Sequence, residues 1–210
     1  MNAADARVLS AQEVASGLAV LEAAGFDPSK PVIEQIVEIP KRIMIHVYQE
    51  PVRDKHEVAE RVKRARPVEL SRYIVSDRRL DLCREPALCQ EFAEVCGALA
   101  RIALDHVGEA GRVLVIRDTH PLCVYSSYDG TWSHWFNAYM TDATCTYFDS
   151  SIYKKWNRRV CKEPRRADLM VPPPGATEQW LSPAYVPGPN GADPGNPNHW
   201  HEIVAASALA

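Results

Sequence analysis

At 210 residues, with 24 Lys and Arg against 27 Asp and Glu, the chain carries a formal net charge of −3. That length holds one domain, or one domain with a tail, and leaves room for a proper hydrophobic core. The weakly acidic balance argues against general nucleic-acid binding, and no apolar run approaches the roughly 20 residues of a membrane span. Met1-Asn-Ala-Ala-Asp5 lacks the basic start and apolar run of a signal peptide, so a cytoplasmic protein is expected. The six cysteines then read as free thiols rather than a disulfide framework.

The first periodic segment covers 9–24. Val14, Leu18 and Leu21 repeat at helical spacing, Ser10 and Glu13 form a capping-box pattern, and Gly25 stops the helix. Val32–Val37 is apolar and β-branched, Pro40 interrupts it, and Ile43–Tyr48 follows. These runs fit two short strands, or a helix and then a strand. His46, in the second run, reads as a structural histidine. Residues 53–65 predict a charged helix with Val58 and Val62 on one side, ended by Pro67. Tyr73-Ile74-Val75 is a short buried segment.

Arg84-Glu85-Pro86 opens the central helix, because proline suits a first turn. Cys89 then falls in that turn, where free N–H groups and the positive end of the helix dipole favour a thiolate. Phe92, Cys96, Leu99, Ile102 and Ala103 repeat at three-to-four spacing and form the buried face, with Cys96 as plain core. Cys83 competes with Cys89 as a reactive thiol, but only Cys89 leads into the apolar helical pattern. The plain alternative is that every cysteine is structural. Gly108 and Gly111 end the helix.

Arg112–Arg117 alternates and predicts a strand. Leu122–Tyr128, Asp129-Gly130 and Thr131–Met140 predict a hairpin on a type I′ turn, pairing Tyr125 with His134. A second reversal, centred between Thr141 and Asp142, pairs Met140 with Ala143, Ala138 with Cys145 and His134 with Asp149. Opposed residues share a face, with Cβ atoms about 4.5–5.5 Å apart, so this register sets a carboxylate beside an imidazole. A thiol needs a base to ionise near neutral pH, and the base needs a partner to fix its tautomer; Cys89, His134 and Asp149 supply that series. The plain alternative for Asp149 is a turn cap shared with Ser150 and Ser151.

Lys154, Lys155, Arg158, Arg159, Lys162, Arg165 and Arg166 read as a solvated face. From Pro172 the composition turns rich in proline and glycine. Residues 1–168 are therefore expected to form the domain, and 169–210 an extended tail with no core of its own, pinned by Trp180, Tyr185 and Trp200 and able to wrap a protein partner. His199-Trp200-His201 offers two metal ligands, with no further cluster nearby.

Taken together, Cys89 with Phe92-Ala93, His134-Trp135-Phe136-Asn137, and Tyr147-Phe148-Asp149 resemble the core of transglutaminase-like thiol enzymes, a branch of the papain-like superfamily. The resemblance spans 55–150. It departs from the family at Ala87-Leu88, where a small residue usually precedes the nucleophile, and at Ala138, where an acidic residue often follows the Asn. It implies an α/β (α+β) fold with the central Cys-bearing helix packed on an antiparallel sheet. Cys89 would be the nucleophile, His134 the general base and acid, and Asp149 the orienter. The implied chemistry is attack on an amide or ester carbonyl through an acyl-enzyme thioester, by a cysteine hydrolase (a peptidase or amidase) or an acyltransferase. A peptide or peptide-like substrate is implied, with no cofactor and no metal. Tyr73 is the aromatic expected near the oxyanion, and Trp132, Trp135 and Asn137 are expected to contact substrate. The rival readings are a non-catalytic binding or assembly module on the same fold, and a metal-dependent enzyme built on His199 and His201.

Overall fold

The computed structural model describes residues 6–47, 54–64, 85–118, 134–151, 175–181 and 200–205. In chain order the elements are β1 (Ala6–Leu9), α1 (Ala11–Ala24), α2 (Val32–Ile36), α3 (Pro40–Ile43), β2 (Met44–His46), α4 (Lys55–Arg64), β3 (Glu85–Ala87), α5 (Cys89–Val107), β4 (Arg112–Asp118), β5 (His134–Met140), β6 (Thr144–Phe148), β7 (Thr177–Trp180) and β8 (Trp200–Ala205). The protein is a mixed α and β fold. The expected strand at 122–128, the segment 73–75 and the basic stretch 154–166 lie outside the described residues.

Local chemistry explains α1 in full. Ser10 Oγ accepts the N–H of Glu13 at 3.2 Å, and Glu13 Oε2 accepts the N–H of Ser10 at 3.0 Å. Gly25 closes the other end in the left-handed region, at φ 75°, where glycine escapes the Cβ penalty. The two β-branched runs resolve as helix and then strand. Val32, Ile33 and Ile36 bury one side of α2. Pro40 sits in the first turn of α3, where its missing N–H costs nothing.

The central helix begins later than its proline predicts. Pro86 belongs to β3, which pairs in parallel with β2 and sets Ile45 against Pro86 and His46 against Ala87. Leu88 is the N-cap, and its N–H is taken by Glu91 Oε2 at 2.9 Å. That leaves Cys89 as the first helical residue. From Glu91 to Leu104 every position is buried, so α5 is enclosed on all sides rather than amphipathic.

The main sheet has the order β1-β8-β4-β5-β6-β7, with antiparallel pairs in the middle and parallel pairs at both edges. Val113, Val115, Phe148 and Ile203 share the core that holds α5. The alternate positions Leu114, Ile116, Phe136, Ala138, Cys145 and Tyr147 are buried as well, at 2% exposure or less. Burial on both faces is why β4 reads as a continuous apolar run. Gly97 lets the helix approach the sheet; a Cβ there would stand 2.9 Å from Asn137 Nδ2 and 3.2 Å from Val115 Cγ2.

The expected boundary at residue 168 needs correction. β7 extends the sheet beside β6, and β8 lies inside it, between β1 and β4. Ile203 is fully buried in the main core. The proline- and glycine-rich composition hid a short apolar strand, His201-Glu-Ile-Val-Ala205. No helix among the described residues is long and apolar enough to cross a membrane.

Candidate active site at the start of the central helix

Three cysteines lie among the described residues: Cys89, Cys96 and Cys145. Cys89 is half-buried and the other two are buried. Burial pushes the Cys96 thiol up to about 12, so it stays protonated at neutral pH. Cys89 is therefore the accessible thiol of the three, at the end of a helix where backbone N–H groups point outward.

The sheet runs along this helix in a definite sense. Asn137 Nδ2 donates to Ala93 O at 2.9 Å, near the helix start, and Tyr139 Oη donates to Ala110 O at 2.8 Å, just past its end. The start of β5, at His134, thus lies at the Cys89 end. β6 runs antiparallel to β5 and finishes at that same end, with Phe148 opposite Asn137. Ser150 Oγ donates to Phe92 O at 3.4 Å, which places the 149–151 turn against the first turns of α5. Cys89, the backbone of His134, and Asp149 are gathered at one end of the helix and sheet. The His134 side chain is not among the described atoms, and Tyr73, Cys83 and Trp132 lie outside the described residues.

The β5–β6 register differs from the one expected. The ladder pairs Met140 with Cys145 and Ala138 with Tyr147, not Met140 with Ala143 and Ala138 with Cys145. The reversal falls between Asp142 and Ala143, because Thr141 closes the loop. Its Oγ1 accepts the N–H groups of Ala143 and Thr144 at 3.2 and 3.0 Å, and its N–H donates to Thr144 O at 2.9 Å. The expected direct opposition of His134 and Asp149 is thereby displaced by two residues. A slip of two keeps the side-chain alternation, where a slip of one would reverse it. Positions 134 and 149 still share the alternation of Ala138 and Tyr147, while Asn137 and Phe148 take the one that meets α5.

Asp149 is 3% exposed. Its Oδ1 accepts both the N–H and the Oγ of Ser151, each at 2.7 Å, which is the turn-capping geometry. This fixes the carboxylate's direction and occupies one of its oxygens. Asn137, expected to touch substrate, is fully buried. Its amide braces α5 to the sheet by donating to Ala93 O and Leu114 O. Trp135 is half-buried against the main core.

The residue that sequence reasoning set aside is His46. It is 7% exposed, opposite Ala87 in the small sheet, and its ring centroid lies 5.8 Å from that of Phe92. Phe92 is three residues beyond Cys89 on the same helical face. No local pattern marks His46; only the pairing of β2 with β3 across a long stretch of chain brings it here.

A second polar cluster stands apart from the thiol. Glu94 on α5 meets His201 Nε2 at 3.2 Å and Arg7 Nη1 at 2.8 Å, and Arg7 also reaches Glu13 at 2.6 Å. Burial raises the Glu94 carboxyl, but the His201 hydrogen bond and the charges of His201 and Arg7 outweigh it, and the net shift is downward. This contact ties His201 to α5, while His199 lies outside the described residues. Among the described residues no three His, Cys, Asp or Glu side chains are grouped to hold a metal.

No family model, curated protein or solved structure matches this chain. The reading of the site rests on its geometry and on the motifs that carry it.

Proposed function

We propose that the protein is a transglutaminase-like thiol enzyme on a papain-like core, acting on the amide carbonyl of a peptide or peptide-like substrate. What carries this is that Cys89 opening α5, His134 opening β5 and Asp149 just after β6 lie at one end of the helix and sheet; strand alternation sets position 134 on the face of β5 turned from α5, so the reading requires the His134 ring to reach Cys89 around the open end of the sheet. In this reading His134 removes the Cys89 proton, and the thiolate attacks the carbonyl carbon. A C–S bond forms and the π electrons move to oxygen, and the N–H of Cys89 donates a hydrogen bond to that oxyanion. The intermediate collapses with loss of the C–N bond, and the imidazolium returns its proton to the departing amine. Water then releases the acid, or a second amine takes the acyl group. In this reading Asp149 orients the imidazole ring. No cofactor is needed, and the cytoplasm, which keeps thiols reduced, suits the chemistry.

The test is acylation of the full chain by an activated ester, followed by mass measurement of the adduct. Cys89→Ala abolishes the thioester, His134→Ala comes close to that, and Asp149→Asn keeps a measurable remainder, since an amide still accepts the ring's hydrogen bond. A folded Cys89→Ala chain that acylates as wild type overturns the reading in favour of a non-catalytic module. Asp149→Asn as inactive as Cys89→Ala, or equal to wild type, removes Asp149 from the role of orienter.

A further inference from the structure

We propose that Glu91 is a positioning residue for the Cys89 site: its carboxylate fixes the peptide unit whose N–H serves the oxyanion, an inference that rests on the thiol reading above. Leu88 is the joint between β3 and α5. The ladder to β2 ends at Ala87, whose O takes the N–H of Val47 at 3.0 Å, and the helix begins at Cys89. The Leu88 N–H falls between ladder and helix, and it donates to Glu91 Oε2 at 2.9 Å. On the other side of the residue, Leu88 O accepts the N–H of Phe92 at 3.1 Å. In a planar trans peptide the C=O and the N–H point in opposite directions. The carbonyl of the unit joining Leu88 to Cys89 points into the helix, so the Cys89 N–H points out past the helix end, the direction that the thiol reading needs.

The tilt of that unit follows from the two dihedrals of Leu88, φ −105° and ψ 173°. Its side chain is seated with Val47, Val58 and Ala59, and its N–H is held by Glu91, so the residue is gripped from two directions. At Ser10 the cap is reciprocal, with the serine hydroxyl and the Glu13 carboxylate each taking an N–H. Leucine has no side-chain oxygen to supply the first half, so at the start of α5 the Glu91 half stands for the whole. Glu91 is 4% exposed, and water competes little for the bond. The bond runs from the residue before the nucleophile to the residue two beyond it, and so closes a ring around Cys89 itself. Through space a carboxylate opposes a developing oxyanion. The gain from Glu91 is therefore geometric, and an uncharged acceptor in its place serves as well.

Two variants and two reagents test this in the full chain. Glu91→Met keeps the length of the side chain and removes its oxygens; Glu91→Gln keeps an acceptor oxygen. Neither carries charge, so the difference between them reports the hydrogen bond alone. Iodoacetamide alkylates a thiol without forming an oxyanion, whereas an activated ester forms one. Glu91→Met lowers the rate of ester acylation at least about tenfold, while alkylation of Cys89 stays at wild type or rises as the first turn loosens. Glu91→Gln acylates within about threefold of wild type, since glutamine also fills this place in a capping box. Rates are taken below the onset of each thermal melt, where a merely structural cap would leave them unchanged. Should the Met variant fail to fold, Glu91→Asp, one methylene too short for the same reach, replaces it in both assays. Wild-type acylation in the folded Met variant, or in the Asp variant that replaces it, overturns the inference. So does a Gln variant as slow as the Met variant, or a loss of alkylation equal to the loss of acylation, which would mean that the thiol itself is displaced. If Cys89→Ala still acylates, the thiol reading fails and this inference with it. If acylation depends on Cys89 but not on Glu91, only this inference fails.

Discussion

Cys89 and Cys96 stand two turns apart on one helix and meet opposite surroundings. Cys96 is fully buried among apolar side chains, and that burial holds its thiol protonated up to about 12. Cys89 is the first helical residue and half-buried. At pH 7, iodoacetamide should modify Cys89 at least tenfold faster than Cys96 or Cys145 in the native chain, because the other two are buried and burial holds Cys96 protonated. Peptide mapping reads it, and equal rates for all three would remove Cys89 from any special role. The next residue of consequence is Gly97. Alanine favours a helix over glycine by about 1 kcal/mol, so on propensity alone Gly97→Ala would stabilise. The packing opposes this: the new Cβ would meet the Asn137 amide at 2.9 Å and Val115 at 3.2 Å. Asn137 cannot swing aside without releasing the carbonyls of Ala93 and Leu114, and two hydrogen bonds are worth about 1 kcal/mol each. With the overpacking penalty of about 1–3 kcal/mol the clash wins. Gly97→Ala should lower stability by a net of about 2–4 kcal/mol in urea melts, and Asn137→Ala combined with it should recover part of the loss.

At the scale of elements, what the sequence revealed depended on how local the cause was. The cap at Ser10, the left-handed stops at Gly25 and Gly108, and the alternation of Arg112–Arg117 are all decided within a few residues, and each stands where expected. The start of α5 was misplaced by three residues because Pro86 suits an edge strand as well as a first turn, and only the distant partner β2 decides between them. The β5–β6 register failed for a similar reason: a threonine hydroxyl inside the loop, not the loop length, sets the point of reversal. The clasp of β1, α1, α5 and β8 was not legible at all, since Arg7, Glu13, Glu94 and His201 meet only in the fold. Its energetics are nonetheless testable. The Glu94 carboxyl is held below its usual value of 4.5. A lowered folded-state pKa means stability that is fully present above the unfolded value and lost as pH falls through the folded one. Wild type should therefore lose stability as pH drops below about 4.5, and Glu94→Gln should show a shallower acid limb. Above that pH the variant should be less stable by about 3 kcal/mol at most, because it leaves Arg7 and His201 facing each other without the carboxylate. Urea melts from pH 3 to 7 on both chains measure the two slopes; parallel curves would show that the clasp is energetically idle.

At the scale of the whole molecule, the deciding strand is the last one. Composition summed over residues 169–210 is rich in proline and glycine, and such a window says that no core belongs to it. Yet a core can belong to a sheet whose other strands lie far earlier in the chain. β8 sits between β1 and β4, pairing Ile203 with Arg7 on one side and with Val113 on the other. Without it β1 has no partner in the sheet, β4 becomes an open edge, and the core over α5 loses Ile203 at full burial. The same strand carries His201, so the contact to Glu94 goes too. A chain ending at Asp168 also lacks β7, which covers the far edge at β6. Two exposed strand edges and a breached core predict aggregation rather than a smaller folded domain. Such a chain should show no cooperative melt and should collect in the insoluble fraction. Ile203→Ala in the full-length chain is the milder form of the same test: a buried large-to-small change at this site should cost about 2–4 kcal/mol, with the melt still cooperative. If the chain ending at Asp168 instead melts cooperatively at a temperature close to that of the full chain, β8 is an accessory to the sheet and the core is closed without it.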